Sequence, residues 1–137
     1  MSRFLLDANV LISLAVQGHA HFERSSAWFA GVEGFALCPI TEGALARFLT
    51  RQGVGGGAVR ASLDSFHNRP GRDWWPDAVS YRRVDLGAVT GHRQVTDAYL
   101  AQLTRAHPGW RLATLDRGLV LAHSDVATLI PELDPQA

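Results

Sequence analysis

Apolar and polar positions along the chain fall into short segments of changing period. Arg3 to Leu6 is a brief apolar run that reaches Asp7, and it reads as a buried strand ending in a carboxylate. From Ala8 the pattern turns helical, with Val10, Leu11, Leu14 and Ala15 on one face, until Gly18 breaks it. His21 to Val32 predicts a second helix carrying Phe22, Trp28, Phe29 and Val32, its end bracketed by Gly31 and Gly34. Phe35 to Cys38 predicts a second buried strand stopped by Pro39. Thr41 to Gln52 follows as a third helix with Ala44, Leu45, Phe48 and Leu49 on one side. The glycines of Gly53 to Gly57 predict a flexible joint rather than a phosphate loop, because no Gly-Lys-Ser/Thr follows.

Ala58 to His67 is a fourth helix, presenting Val59, Leu63 and Phe66. Asn68 to Asp77 reads as a loop from its Pro and Gly content. Val79 to Val84 fits an edge strand or a loop, and Asp85 to Val89 one short helical turn. Val95 to His107 is a helix ended by Pro108-Gly109. Arg111 to Leu115 is a strand, Asp116 to Leu121 a short helix and Asp125 to Ile130 a last strand. Four strands alternating with helices predict an α/β fold with a mostly parallel sheet covered on both faces.

Composition narrows the class. The 137 residues are enough for one domain with a real core, and 47% hydrophobic with 19% charged residues is a globular balance. The apolar runs are too short to cross a bilayer, and an N-terminus with Arg3 and Asp7 does not read as a secretory signal. With Cys38 as the single cysteine no intrachain disulfide forms, which fits a reducing cytoplasm; its apolar surroundings mark it as a small buried hydrophobe. The net charge is zero, yet all 13 basic residues are Arg, the better residue for bidentate phosphate contacts. Were four acids gathered in one pocket, 13 Arg would face nine remaining acids, leaving a mildly basic surround. A genome that favours Arg codons explains the same bias.

Four acids recur where chemistry sits in such a sheet. Asp7 and Asp116 end strands; Glu42 and Asp97 open helices. In an open α/β sheet the strand ends and the starts of the following helices share one rim, where ligands bind. Taken singly, each acid is explained as a helix cap or a first-turn residue favoured by the helix dipole, with Thr41 and Thr96 as the caps beside Glu42 and Asp97. Together they repel unless a cation joins them. A hard divalent ion, Mg²⁺ or Mn²⁺, suits an all-oxygen set, and no His-Cys spacing for zinc is present.

Leu5-Leu6-Asp7-Ala8-Asn9-Val10-Leu11-Ile12, Thr41-Glu42, Arg93-Gln94-Val95-Thr96-Asp97-Ala98-Tyr99-Leu100 and Thr114-Leu115-Asp116 together resemble a PIN domain. More narrowly, they resemble the VapC-type toxins of bacterial type II toxin–antitoxin pairs. The acids are spaced by 35, 55 and 19 residues, and the resemblance spans nearly the whole chain, as a single PIN domain over 1–137. It implies a PIN-like three-layer α/β/α sandwich and Mg²⁺-dependent cleavage of RNA, with transfer RNA the first substrate to consider. It also implies a homodimer and neutralisation by a cognate VapB-type antitoxin. Asp7, Glu42, Asp97 and Asp116 match the family's acidic metal-binding positions. Asn9 and Thr114 match polar positions that support the acids, and Arg93 and Thr96 match substrate or supporting positions.

Other readings stay open at this level. A PIN-like RNA- or protein-binding module without turnover retains the same acids. A phosphatase-like α/β enzyme would take Asp7-Ala8-Asn9 as its nucleophile motif, against which Asn9 stands where a second Asp belongs. A phosphoacceptor domain needs a Lys that this chain lacks. His92 is the one histidine beside a candidate residue. Trp74 and Trp75, near Arg69 and Arg72, suit either base stacking or a core edge.

Overall fold

The first strand is apolar on both sides, so it can only lie between two covered faces. In the computed structural model, which describes residues 2–135, it forms β1 (Arg3–Leu6) at the centre of a five-stranded sheet. The other strands are β2 (Gly34–Leu37), β3 (Arg72–Trp74), β4 (Arg111–Thr114) and β5 (Ala127–Leu129), in the order β3-β2-β1-β4-β5. Every pairing is parallel, with Leu5 opposite Ala36 on one side and Leu112 on the other.

Alternation along β1 divides the core. Leu6 joins Val10 and Leu11 of α1 (Ala8–Ala15), Phe29 of α2 (Phe22–Phe29), Leu45 and Leu49 of α3 (Pro39–Arg51), and Val59 and Phe66 of α4 (Gly56–His67). Leu5 joins Leu100 and Leu103 of α5 (Arg93–Arg105) and Leu119 of α6 (Arg117–Ala122) on the opposite face. The result is the three-layer α/β/α sandwich of the PIN-like type. Among the described residues no helix is long and apolar enough to cross a membrane.

Several expectations are corrected. The Asn68–Asp77 stretch contains β3, a three-residue edge strand with every residue exposed, so no buried apolar run announced it. The Val79–Val84 segment is a 3₁₀ turn at Tyr81–Arg83, capped by the Ser80 hydroxyl. Asp85 to Val89 forms no helix; Asp85 Oδ1 accepts the Gly87 N–H in a turn instead. The joint at Gly53–Gly57 is shorter than expected, because Gly56 and Gly57 already lie in α4 behind an N-cap at Gly55. Pro39 does not merely end β2: it opens α3, where its missing N–H costs nothing. Thr41 is then no cap residue but the third helical position, bonded back to Cys38. Cys38 is fully buried, as its sequence context implied.

The order β3-β2-β1-β4-β5 places chemistry. Connections step outward from β1 to β3, and the chain then crosses to the other side of β1 to lay down β4. The direction reverses between β1 and β4, and the carboxyl ends of those two strands flank the crevice that such a reversal opens. Asp7 follows β1 and Asp116 follows β4.

Candidate active site

Asp7 caps a helix with one oxygen and reaches across to β4 with the other. Its Oδ1 accepts the Ala8 N–H at 2.7 Å at the start of α1, and its Oδ2 accepts the Thr114 hydroxyl at 2.7 Å. Thr114 sits at the end of β4 and is fully buried. Its oxygen accepts the Asp116 N–H at 3.0 Å and the Asn9 side-chain amide at 3.3 Å. Asn9 closes the circuit by accepting the Leu115 N–H at 3.2 Å. Asp116 in turn caps α6, accepting the Gly118 and Leu119 N–H groups on one oxygen. Asn9 and Thr114 therefore lock the two strand-end carboxylates in place. Asn9 reaches Asp7 through Thr114, and its amide is committed to that circuit.

Asp97 joins from the second turn of α5. It accepts no hydrogen bond from a described residue. Burial, and then the charges of Asp7 and Asp116, push its carboxyl from 3.8 up to about 6. Asp7 is raised as well: burial dominates, the bonds from Thr114 and Ala8 oppose it, and Asp116 adds to the rise. None of these three acids is ion-paired among the described residues. A cavity of about 210 Å³ opens against Asp97 and Asp116, walled by Asp85, Val89, Gln94, Leu119 and His123.

Glu42 departs from the expected group of four. It lies in the first turn of α3, but both its oxygens are taken: His67 Nε2 lies 2.6 Å from Oε2, and the Trp74 indole N–H donates to Oε1 at 2.9 Å. It stands on the flank of the other three, over β2 and β3. Neither partner was legible as a site residue. His67 ends α4, 25 positions away, with no spacing that ties it to Glu42, whereas Trp74 carried at least the signal of an aromatic in a polar loop. Arg93 and Thr96 are exposed on the first turns of α5, and His92 is the exposed cap residue before it, not Thr96.

The donor set suits a hard divalent ion. It offers oxygen atoms only, and among the described residues no cation is paired with any of the three acids. Among the described residues no three His, Cys, Asp or Glu side chains converge on one ligating point. Mg²⁺ does not ask for that, since one or two carboxylates with water and substrate phosphate are its usual holders.

The Thr114 circuit gives a first expected outcome. Thr114→Val keeps the shape but strips Asp7 Oδ2 and the Asp116 N–H of a buried partner. The expected loss is about 1–3 kcal/mol, read as a lower urea midpoint at unchanged slope. Thr114→Ser, which keeps the hydroxyl, is expected to retain more of the stability than Val.

No family model matches the chain. Curated relatives do. Over 128 residues it is 52% identical to ribonuclease VapC29 of Mycobacterium tuberculosis, across 93% of this chain and 96% of that protein. It is 36% identical over 122 residues to ribonuclease VapC38 of the same organism, across 84% and 86% of the two chains. For ribonuclease VapC44 the identity is 33% over 136 residues, across 92% and 94%. The crystal structure of PAE2754 from Pyrobaculum aerophilum shares the fold, with a TM-score of 0.61 at 22% identity over 94% of this chain and 90% of that one.

Proposed function

The chain belongs to the VapC family of ribonucleases, and on that premise we propose that it is a toxin endoribonuclease that hydrolyses RNA phosphodiester bonds. One observation carries the reading. Three carboxylates, none ion-paired among the described residues, stand close enough at the sheet's switch point for Asp7 and Asp116 to raise the Asp97 carboxyl, and two of them are held by the Asn9 and Thr114 bonds. Structural stability gives no reason to gather them there.

Asp7, Asp97 and Asp116 are the residues that would hold Mg²⁺, or Mn²⁺ in its place; Glu42, held by His67 and Trp74, stands outside that set. When bound, the ion supplies an activated water and neutralises charge on the phosphate oxygens. The protein's own part is orientation. Asp7 and Asp116 are fixed as caps of α1 and α6, whereas Asp97 accepts no hydrogen bond from a described residue and is left to adjust to substrate. Exposure of Arg93 at the start of α5 and of Thr96 one turn on supports the reading in which Arg93 contacts a phosphate and Thr96 the substrate or a water.

The substrate class we infer is transfer RNA, and the partner a VapB-type antitoxin that neutralises the protein in the cytoplasm. We take the chain to be a single PIN domain that works as a homodimer. The test is cleavage of pooled transfer, ribosomal and messenger RNA by antitoxin-free protein, with fragment ends mapped. Discrete cuts in transfer RNA leaving 5′-phosphate and 3′-hydroxyl ends are expected. Cyclic phosphate ends would mean that the 2′-hydroxyl is the nucleophile and would refute the mechanism. No cleavage of any RNA by folded protein would point to a binding module.

A further inference from the structure

Trp74 and Trp75 are adjacent, so the strand sends them opposite ways. Trp75 is 2% exposed, stacked on His107 at 3.6 Å and set edge-on to Trp110. It is core. Trp74 is 40% exposed. Trp28, Trp75 and Trp110 each meet another described aromatic ring; Trp74 meets none. Among the described residues its side chain has one polar contact, at the ring edge, where the indole N–H donates to Glu42 Oε1. A large aromatic is thus pinned at its rim by a site carboxylate, with its face left without a ring partner.

We propose that Trp74 is a stacking platform for an unpaired nucleobase close to the scissile phosphate. The inference rests on the ribonuclease reading and deepens it. Trp74 ends β3, and Asp7 follows β1, two strands away on the same rim of the sheet. That is roughly 10 Å. Stacked nucleotides advance only about 3.4 Å, so a base one step from a phosphate held at the acids reaches Trp74 only where the strand is splayed. Splayed bases of single-stranded loops are what aromatic faces capture. Every base has a π-face, so the platform selects an unpaired strand rather than a particular letter. The hydrogen bond to Glu42 fixes the ring before RNA arrives, which lowers the ordering cost of the stack.

The test separates stacking from the tether to Glu42. Trp74→Phe keeps a ring and loses the N–H; Trp74→Ala loses both. Binding of a labelled unstructured RNA oligonucleotide is measured by anisotropy in chelator, with Asp97→Asn as the common background so that nothing is cut. Trp74→Ala is expected to bind about fivefold or more weakly, and Trp74→Phe to keep most of the affinity. Abasic substitutions along the oligonucleotide are expected to erase the difference between Trp and Ala at one register. Equal affinity of Trp74 and Ala, or a loss that abasic RNA leaves unchanged, would overturn the proposal. So would an emission difference between the Trp74 and Trp74→Phe proteins that bound RNA leaves unchanged. Wild-type protein that cuts RNA normally while Ala binds equally well overturns the stacking alone; RNA neither bound nor cut overturns the ribonuclease reading with it.

Discussion

Asp97→Asn is expected to abolish most RNA cleavage and, in the same preparation, to raise the melting temperature of the metal-free protein. The two signs come from one cause. Asp97 is half-buried beside Asp7 and Asp116, accepts no hydrogen bond from a described residue, and has its carboxyl pushed up to about 6. At neutral pH the fold therefore holds a charge it would rather not hold. The amide has the same shape and no charge, so the repulsion disappears and no hydrogen bond is lost. Solvent screens part of this, so the gain is on the order of 1 kcal/mol, or about 3 °C for a chain of this size. The loss in turnover is set by a different balance. Asp97 would act through the ion it helps to hold, and losing charge stabilisation of that kind at a transition state costs about 100- to 1,000-fold in kcat. Differential scanning calorimetry in chelator and single-turnover cleavage check the two halves. A variant that loses both activity and stability would make Asp97 a structural residue; one that cuts RNA at the wild-type rate would remove it from the reaction. The combination of gain and loss marks a site kept for function against the preference of the fold.

What was legible in the chain beforehand follows from what each signal measures. β2 is buried throughout, and β1 and β4 carry buried apolar runs, Leu5-Leu6 and Leu112-Ala113, that announce them; β5 buries only Ala127 and is announced by the apolar positions around it. β3 is exposed and three residues long, so it carries no apolar run, and Pro70-Gly71 before it reads as loop. Acids at strand ends were visible because a parallel sheet collects such positions on one rim whatever the loops do. The place of Glu42 was not visible. Its side chain is captured by His67 and Trp74, and both partners depend on how α4 and the hidden β3 pack beside β2. A single extended strand between Gly71 and Trp75 therefore decides two things at once: that Glu42 is held apart, and that one Trp of the pair is core while the other faces out. The Asn9–Thr114 link was half legible. Both residues were picked out as supports, but the order of the chain of bonds, Asn9 to Thr114 to Asp7, needed the register that sets Leu6 opposite Ala113.

Divalent metal is expected to be absolutely required for cleavage and to reverse the pH dependence of stability. Without metal, Asp97 and Asp7 have carboxyl pKa values above their unfolded ones. The folded protein then binds more protons than the unfolded chain between about pH 4 and the raised value. Stability is highest below that window and falls as pH rises through about 6 for Asp97. His123 works against this near the top of the window: burial and Arg105 lower its pKa, so its contribution improves as pH rises. The clean readout is therefore the difference between wild type and Asp97→Asn, in which His123 cancels. With Mg²⁺ or Mn²⁺ present the carboxylates are wanted ionised, and protons compete with the ion. Stability should then climb with pH over the same range. At a free ion concentration about 100 times the dissociation constant the gain is about 2.7 kcal/mol. Melting curves from about pH 5 to about pH 8, with chelator and with Mn²⁺, check the sign. Chelator should bring cleavage to background and restored ion should recover it. Opposite slopes that collapse together in Asp97→Asn would tie the ion, the acids and the reaction to one place. Parallel slopes with and without Mn²⁺ would mean that the ion does not bind these acids, and the three carboxylates would need another cation or another purpose.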